Sequence, residues 1–140
     1  EVAHVLIIEK PEIKQESNRT TVTGRFSLNG DEKSLWFSVP KEYTKYLVTE
    51  NADAFVVGLL LLAMKNNKNI RVNAPMSSRL YYTLNEYIIP ALALANPQWK
   101  VIRIVSTEGL NNKRLSEKGV AGTGITCGID SFCTIIEHLD

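Results

Sequence analysis

Alternation of apolar and polar positions in the first forty residues predicts antiparallel strands. Residues 3–9 are apolar and β-branched, and residues 21–28 and 33–39 each alternate with a period of two. The Asn29-Gly30 pair between the last two segments predicts a tight hairpin, because both residues tolerate a positive φ. Residues 11–19 are polar and predict a loop. Val22, Phe26 and Leu28 are expected on one face of the strand over 21–28, and Leu35, Phe37 and Val39 on one face of the strand over 33–39.

The pattern changes to helical spacing after Pro40, where Tyr43, Tyr46 and Leu47 recur at helical intervals. An apolar run over 54–64 predicts a buried helix that is too short to span a bilayer. Asn51 or Asp53 is expected to cap this helix, and it should end near Asn66.

A clean alternation over residues 69–73 predicts a strand, and Val and Ile residues over 100–106 predict another. Between them a third helix is expected, capped by Ser77 or Ser78 and kinked or broken at Pro90, because proline cannot donate a backbone hydrogen bond. A strand, a helix and a strand in this order favour a parallel pair joined by a right-handed crossover.

The predicted fold class is therefore α+β, with an N-terminal antiparallel meander followed by a helix-rich strand–helix–strand unit. Residues 108–119 are polar, and a domain boundary is expected near residue 115. Residues 1–115 would form an α+β domain. Residues 116–140 would form the first strand, loop and helix of a second, Rossmann-like domain that is truncated here.

The composition and the net charge bear on which kinds of partner the protein is expected to bind. Of the 140 residues 44% are hydrophobic, and 16 Lys and Arg oppose 15 Asp and Glu for a net charge of +1. This balance gives no reason to expect nucleic acid or an anionic membrane as the main partner. The small basic groups are expected to be solvated surface; they are Lys100, Arg103, Lys113, Arg114 and Lys118.

Cys127 and Cys133 lie six residues apart in one short segment, and this spacing does not suit a disulfide on a helix. A reducing compartment, the cytoplasm, is expected. Cys133 is expected to be a small core residue. His4 and His138 are isolated, and no Cys or His spacing typical of a metal site is present.

The segment "TCGIDS", residues 126–131, holds the most suggestive chemistry. A predicted strand, a tight turn and a predicted helix would point free backbone N–H groups at the space above the turn, where a phosphate is favoured. Asp130 could hold a Mg²⁺ ion that bridges phosphate oxygens. A Walker A motif is excluded because Ile129 follows Gly128, and the dinucleotide fingerprint meets Cys127 where its third glycine belongs.

This segment resembles the Ser-Gly-Gly-x-Asp-Ser loop of the PP-loop ATP pyrophosphatases, a superfamily of adenylating enzymes. The resemblance implies that the loop binds the pyrophosphate of ATP, with Mg²⁺ at Asp130. Thr126 takes the place of the first Ser, Cys127 and Gly128 those of the two glycines, and Asp130 and Ser131 match outright. Cys127 departs from the pattern by placing a side chain where the backbone approaches phosphate. The resemblance covers about residues 120–139; the region before it is loosely similar to the leader of uncharacterised bacterial proteins that carry such a loop.

Other interpretations of these residues stay open. The loop is alternatively an ordinary strand–turn–helix in which Gly128 eases the turn and Asp130 caps the helix. Cys127 is alternatively a nucleophile at a helix N-terminus, although His138 lies about 16 Å further along that helix and cannot serve as its base.

Elsewhere, the aromatic pairs Trp36–Phe37 and Tyr81–Tyr82 are expected to pack in or beside the core, with the lining of a pocket as the alternative. Arg79, Asn85 and Glu86 are expected on a solvated helix face, with recognition of a polar substrate as the alternative.

Two functions are expected from these observations. In the first, the chain is the N-terminal portion of an ATP-dependent adenylating protein and is inactive by itself; the small-molecule substrate is unknown. ATP and Mg²⁺ are then expected as cofactors of the full-length protein, and no cofactor is expected in this fragment. In the second, residues 1–115 are a non-catalytic binding or accessory domain and the loop is degenerate. In the first case the apolar face of the last helix lacks its partner and should pack back on residues 1–115, form a homodimer or be disordered. Its residues are Phe132, Ile135, Ile136 and Leu139.

Overall fold

The first four strands form an antiparallel sheet around one long central strand. A computed structural model describes residues 5–112 together with residues 129, 133 and 136. In it, β3 (Arg19–Leu28) pairs along its whole length with β4 (Asp31–Pro40). The other edge of β3 is occupied by β1 (Val5–Glu9) and then β2 (Glu12–Gln15), one after the other. The predicted antiparallel meander is confirmed.

The sequence predicts the turn between β3 and β4, but it does not predict β2. Asn29 and Gly30 have φ angles of 56° and 88°, as expected for a tight hairpin that follows the twist of its strands. The predicted loop over 11–19 is wrong in part, because Glu12–Gln15 form β2. Nothing in its polar sequence indicates a strand; the unpaired backbone edge of β3 supplies the hydrogen bonds that extend it.

Two parallel strands extend the sheet beyond β1. β5 (Asn69–Asn73) lies parallel to β1, and β7 (Ile104–Ser106) lies parallel to β5, which gives the order β4-β3-β1-β5-β7. The predicted parallel pair of β5 and β7 is confirmed, although β7 is shorter than the expected strand over 100–106. The parallel pairing of β1 with β5 is a non-local contact that periodicity alone does not predict.

The helix between the hairpin and β5 is the expected apolar one. After a 3-10 helix (Lys41–Tyr46), α1 (Asp53–Lys65) has Ala52 at its N-cap position and no side-chain cap, so the predicted capping by Asn51 or Asp53 is wrong. The helix ends in a Schellman arrangement: Asn67 adopts a φ of 52°, and the Lys68 N–H donates to the Ala63 carbonyl at 3.0 Å.

The third helix is continuous, but its hydrogen-bond pattern changes over one turn. α2 (Ser78–Thr83) continues through a π-helical turn (Leu84–Ile88) into α3 (Ile89–Ala95). Ile89 donates its N–H to the Leu84 carbonyl five residues back. The disturbance expected from Pro90 therefore takes the form of a π turn just before it. Neither predicted serine caps this helix through its side chain, although Ser77 occupies the N-cap position.

All three helices contribute to one core on one face of the sheet. Alternate strand residues that face the helices are buried, among them Leu6, Ile8, Val22, Ile70 and Val72. Their neighbours on the opposite face are half-buried or exposed, as in the strand pattern of β5. Among the described residues the domain is thus two layers, a twisted sheet and a layer of helices.

α1 lies very close to the sheet at Gly24 of β3. A Cβ atom at Gly24 would lie 2.5 Å from Cδ1 of the buried Phe55 ring. The absence of a side chain at this position lets the aromatic ring lie directly on the strand. This contact fixes the N-terminal half of α1, and with it the position of the surface described below.

Candidate functional site

The residues of the predicted phosphate loop lie outside the described part of the chain. This holds for Thr126, Cys127, Gly128, Asp130 and Ser131, and for the expected domain boundary near residue 115. Residues 129, 133 and 136 are described, and each is helical and exposed. The prediction that Cys133 is a core residue is wrong, because its thiol side chain is exposed.

A wide apolar groove lies where α1, α2 and β4 come together. Its volume is about 790 Å³, which is within the usual range of ligand-binding clefts. α1 contributes Asp53, Ala54, Val57 and Gly58, β4 contributes Phe37, and the beginning of α2 with the residue before it contributes the remainder. These last residues are Ser77, Arg79, Leu80 and Thr83.

Two groups of opposite charge lie in this apolar lining, and they differ in how they are held. The Asp53 carboxylate accepts a hydrogen bond from the Ser77 N–H at 3.0 Å, so it joins the beginning of α1 to the residue that precedes α2. Arg79 is exposed and makes no ion pair with any other residue in the described part of the chain. The groove therefore offers a guanidinium group to a ligand, while the carboxylate already has a structural partner.

The outer face of α1 enlarges this surface. The prediction of a buried helix is correct for its inner side, but Val57 is 52% exposed and Leu61, one turn further, is 44% exposed. A helix that is apolar on all sides is normally covered on all sides. The sequence shows an excess of apolar residues over 54–64, and the structure shows that the side of the helix with Val57 and Leu61 is uncovered.

A second, smaller cavity continues the groove toward the 3-10 helix. It has a volume of about 250 Å³ and shares Phe37 and Ala54 with the groove. Tyr46 and Val48 line it and are 68% and 38% exposed. The two cavities together form an apolar surface along the N-terminal half of α1, which we call the α1 groove.

The described segment that ends at Asn112 lies at the edge of the α1 groove. β6 (Met76–Ser77) pairs in parallel with β8 (Leu110–Asn111), which places Ser77 of the groove beside Asn111. The Asn111 side chain donates to the Asn51 side-chain oxygen at 2.6 Å, and Ser78 Oγ donates to the Asn111 carbonyl at 3.2 Å. These bonds hold the last described residues of the main chain against the start of α1 and α2.

Asn85 has a structural role that neither sequence interpretation anticipated. Its amide nitrogen donates to the Ile104 carbonyl at 3.3 Å, and its amide oxygen accepts from the Ile104 N–H at 3.0 Å. Asn85 is buried and occupies the place of a further strand along the edge of β7. The expectation of a solvated face for Asn85 is wrong, whereas Glu86 is exposed and lies 3.9 Å from Arg103.

The aromatic pairs separate in the structure. Phe37 lines the α1 groove and contacts the Phe55 ring at a centroid distance of 5.4 Å, whereas Trp36 is on the other sheet face and is 62% exposed. Tyr81 packs against the core, whereas Tyr82 is 57% exposed. Tyr81 thus packs against the core as expected, whereas Phe37 follows the alternative interpretation and lines a pocket.

The π turn brings Tyr82 beside Tyr87 on the outer surface of the helix. Their rings meet edge to face at 5.7 Å, and their hydroxyl oxygens are 3.5 Å apart. In a regular helix residues five apart point in different directions, so the wider turn creates this pair. The hydrogen bond with Tyr87 raises the pKa of Tyr82, with smaller contributions from desolvation and from the nearby Glu86 charge.

Residues 5–112 also form a further cavity of about 260 Å³, which is lined by Glu9, Arg25, Phe26, Ser27 and Glu32. Across the described residues, no three His, Cys, Asp or Glu side chains lie close enough together to hold a metal ion. No helix in that part of the chain is long and apolar enough to cross a membrane.

Comparisons with known proteins identify no relative of this chain. No protein-family model matches the sequence, and no curated protein or solved structure is significantly similar to the chain. The likeness of residues 126–131 to the PP-loop motif thus rests on the motif itself.

Proposed function

We propose that residues 5–112 form a binding domain and that the α1 groove is its binding surface. The observation that supports this best is the groove of about 790 Å³ with its apolar lining, continued by the exposed Val57 and Leu61 of α1. Apolar surface of this extent on one side of a domain is typical of contact sites. This is the second of the two functions that the sequence suggested.

The class of ligand follows from the shape and chemistry of the surface. Ala54, Val57 and Leu61 follow one another at helical spacing along one side of α1, which suits an elongated apolar ligand. Arg79 at the groove favours an anionic group on the same ligand. An amphipathic helical segment with an acidic residue meets both requirements, since such segments lie in apolar grooves of this kind.

The test is a fluorescence titration of the whole chain with 1-anilinonaphthalene-8-sulfonate, an apolar anionic probe. Val57→Gln removes an apolar contact and should weaken binding about fivefold, which corresponds to roughly 1 kcal/mol. Val105→Gln is the matched control, because Val105 is 50% exposed on β7, outside the groove, against 52% for Val57. Arg79→Gln should also weaken binding, and Arg71→Gln, an exposed arginine on the open sheet face, should not.

An equal effect of Val57→Gln and Val105→Gln would refute the assignment of the groove. Both positions are half exposed, so neither change should unfold the protein. A loss of affinity confined to the Val105 variant would locate binding on the open face of the sheet instead.

The ATP-dependent adenylating function is the second candidate, and the motif at residues 126–131 supports it. Under this proposal the binding domain precedes a nucleotide-binding domain and supplies it with a substrate or a partner. The α1 groove is compatible with that arrangement, because Asn111 lies beside Ser77 at the groove.

A further inference from the structure

The outer edge of β4 has no strand beside it in the described part of the chain. There β4 pairs with β3 along its whole length and with no other strand. It has ten residues, whereas proteins usually keep their exposed edge strands short. The backbone groups on its outer side are therefore a template for a further strand.

The sequence of this edge lacks the features that usually prevent strand pairing. Charged residues and proline lie only at the two ends of β4, at residues 31–33 and at Pro40. Residues 34–39 are uncharged and include Leu, Trp, Phe and Val, which favour strands. Trp36 and Phe37 are 62% and 42% exposed, one on each face of the sheet. An exposed edge of this composition is expected to have a pairing partner.

The hairpin determines which backbone groups of β4 are already bonded. In a two-residue hairpin the residues that flank the turn, here Leu28 and Asp31, exchange hydrogen bonds across the two strands. The odd-numbered residues of β4 therefore bond to β3. The same parity continues past the end of the strand, where the Lys41 N–H donates to the Asn18 carbonyl at 3.1 Å.

The even-numbered residues of β4 point their backbone groups to the free edge. Ser34 and Trp36 are at its centre. The Ser38 carbonyl, further along, accepts a bond from the Arg19 side chain at 3.2 Å and has a second lone pair for another donor. A strand laid beside this edge would satisfy these groups.

A second copy of β4 fits the edge in an antiparallel register centred on Trp36. Opposed residues in an antiparallel pair point to the same face, so a two-fold axis passes through one residue and its own copy. With the axis at Trp36, apolar residues meet apolar residues, serines meet serines, and opposite charges meet at the ends. The opposed pairs are Leu35–Phe37, Ser34–Ser38 and Asp31–Lys41.

The neighbouring registers lack this charge match. An axis at Phe37 sets Lys33 opposite Lys41, a pair of like charge that disfavours pairing. An axis at Leu35 sets Asp31 opposite an apolar residue and brings no opposite charges together. Registers centred further out pair fewer residues of β4. The charges therefore favour the register with Trp36 on the axis.

We propose that the chain forms a two-fold symmetric dimer through antiparallel pairing of β4 with β4 of a second copy, centred on Trp36. The pairing joins two sheets into one and satisfies the outward backbone groups of both copies. An edge contact buries less surface than a stable interface usually does, so the dissociation constant should lie in the micromolar range. This inference goes beyond the proposed binding function and does not rest on it.

Disulfide formation in the whole chain tests this register. In a background without the native thiols (Cys127→Ser and Cys133→Ser), Trp36→Cys places two thiols opposite each other, with Cα atoms about 5.5 Å apart, which suits a disulfide. Ser34→Cys is the matched control, because its two copies would lie about 14 Å apart along the strands. With oxidised glutathione, the dimer of Trp36→Cys should form about tenfold faster. Both positions are exposed, so the variants should keep their fold. Equal rates would overturn the proposed register.

Sedimentation equilibrium of the whole chain gives a second readout. The unmodified chain should form dimers as its concentration rises. Ser34→Pro removes an outward N–H and should weaken the dimer about tenfold, whereas Ser34→Ala keeps that N–H and should have no effect. A monomer at every concentration, or a dimer that Ser34→Pro leaves intact, would show that the edge of β4 is not the interface.

Charge exchange tests the ends of the register. Asp31→Lys and Lys41→Asp each oppose like charges and should weaken the dimer about threefold, and the double variant should restore the original affinity. Both side chains are exposed, so the exchanges leave the core undisturbed. Additive weakening in the double variant would contradict the pairing of Asp31 with Lys41.

The result is separable from that of the proposed binding function, because sedimentation and disulfide formation report association without a bound probe. If Val57→Gln and Val105→Gln affect the probe equally while Trp36→Cys forms the disulfide, the groove assignment falls and the dimer stands. If Trp36→Cys and Ser34→Cys react equally while Val57→Gln alone weakens probe binding, the dimer falls and the groove stands.

Discussion

Asn85 provides a quantitative test of how the helical layer is attached to the sheet. It lies on the π turn between α2 and α3, and its side chain makes two hydrogen bonds with Ile104 of β7 and a third with the Tyr81 carbonyl. The informative change is Asn85→Ala, which removes all three bonds without adding a charge. Ile104 is fully buried, so water does not readily replace the lost partners.

The expected loss of stability can be worked out from these contacts. The Ile104 N–H and carbonyl would both lose the Asn85 partner, and a buried polar group without a partner costs about 1–3 kcal/mol. Asn85→Ala should therefore lower the free energy of unfolding by about 2–6 kcal/mol. That is a large part of the roughly 5–15 kcal/mol that stabilises a typical domain.

Urea denaturation followed by circular dichroism measures this loss, with Glu86→Ala as the neighbouring control. Glu86 is exposed and its ion pair with Arg103 is long, so its removal should cost less than about 1 kcal/mol. If Asn85→Ala and Glu86→Ala destabilise the protein equally, the edge of β7 is not held by Asn85 and the reasoning is refuted.

Three further changes test other parts of the structure. Gly24→Ala should lower the free energy of unfolding by about 1–3 kcal/mol because the new Cβ meets the Phe55 ring at 2.5 Å; in urea denaturation a Phe55→Leu background should reduce that loss. Tyr87→Phe should lower the pKa of Tyr82, measured by NMR of the tyrosine rings, because the hydrogen bond that raises it is removed. If the chain is part of a longer adenylating protein, calorimetric titration of that full-length protein with ATP and Mg²⁺ should give binding that Asp130→Ala abolishes, and no heat from folded protein would contradict the PP-loop prediction.

The direction of the Tyr82 pKa shift determines how the contribution of this tyrosine pair to stability depends on pH. The pKa of Tyr82 is higher in the folded protein than in the unfolded chain, so the hydrogen bond with Tyr87 stabilises the fold below the ordinary tyrosine pKa of about 10. This contribution is lost as the pH rises through the folded-state pKa. In Tyr87→Phe the pH dependence of stability in the alkaline range should be smaller.

Local signals predicted the elements whose formation depends on nearby residues. The Asn29-Gly30 turn, the faces of β3 and the bounds of β5 follow from backbone preference and alternation within a few positions. The sequence did not reveal β2, because that strand depends on the edge of β3 and not on its own polar residues. Propensity is overridden in such cases by the hydrogen bonds that the fold supplies.

The candidate site was harder to predict than the fold, for a physical reason. The residues of the α1 groove come from β4, α1 and α2, and only tertiary packing brings Phe37, Val57 and Leu80 together. The apolar run over 54–64 was visible, but a run of this kind does not show which side stays uncovered. The sequence likewise does not show that Asn85 is buried, because its position on a π turn against β7 depends on tertiary packing.

The central claim is that the α1 groove is the binding surface of this domain, and methyl NMR of the whole chain tests it most directly. Addition of 1-anilinonaphthalene-8-sulfonate should shift the methyl signals of Val57 and Leu80, which line the groove. The signals of Ile7 and Val105, which pair with Arg71 on the open face of the sheet, should stay in place. Shifts confined to Ile7 and Val105, with Val57 and Leu80 unchanged, would contradict the account.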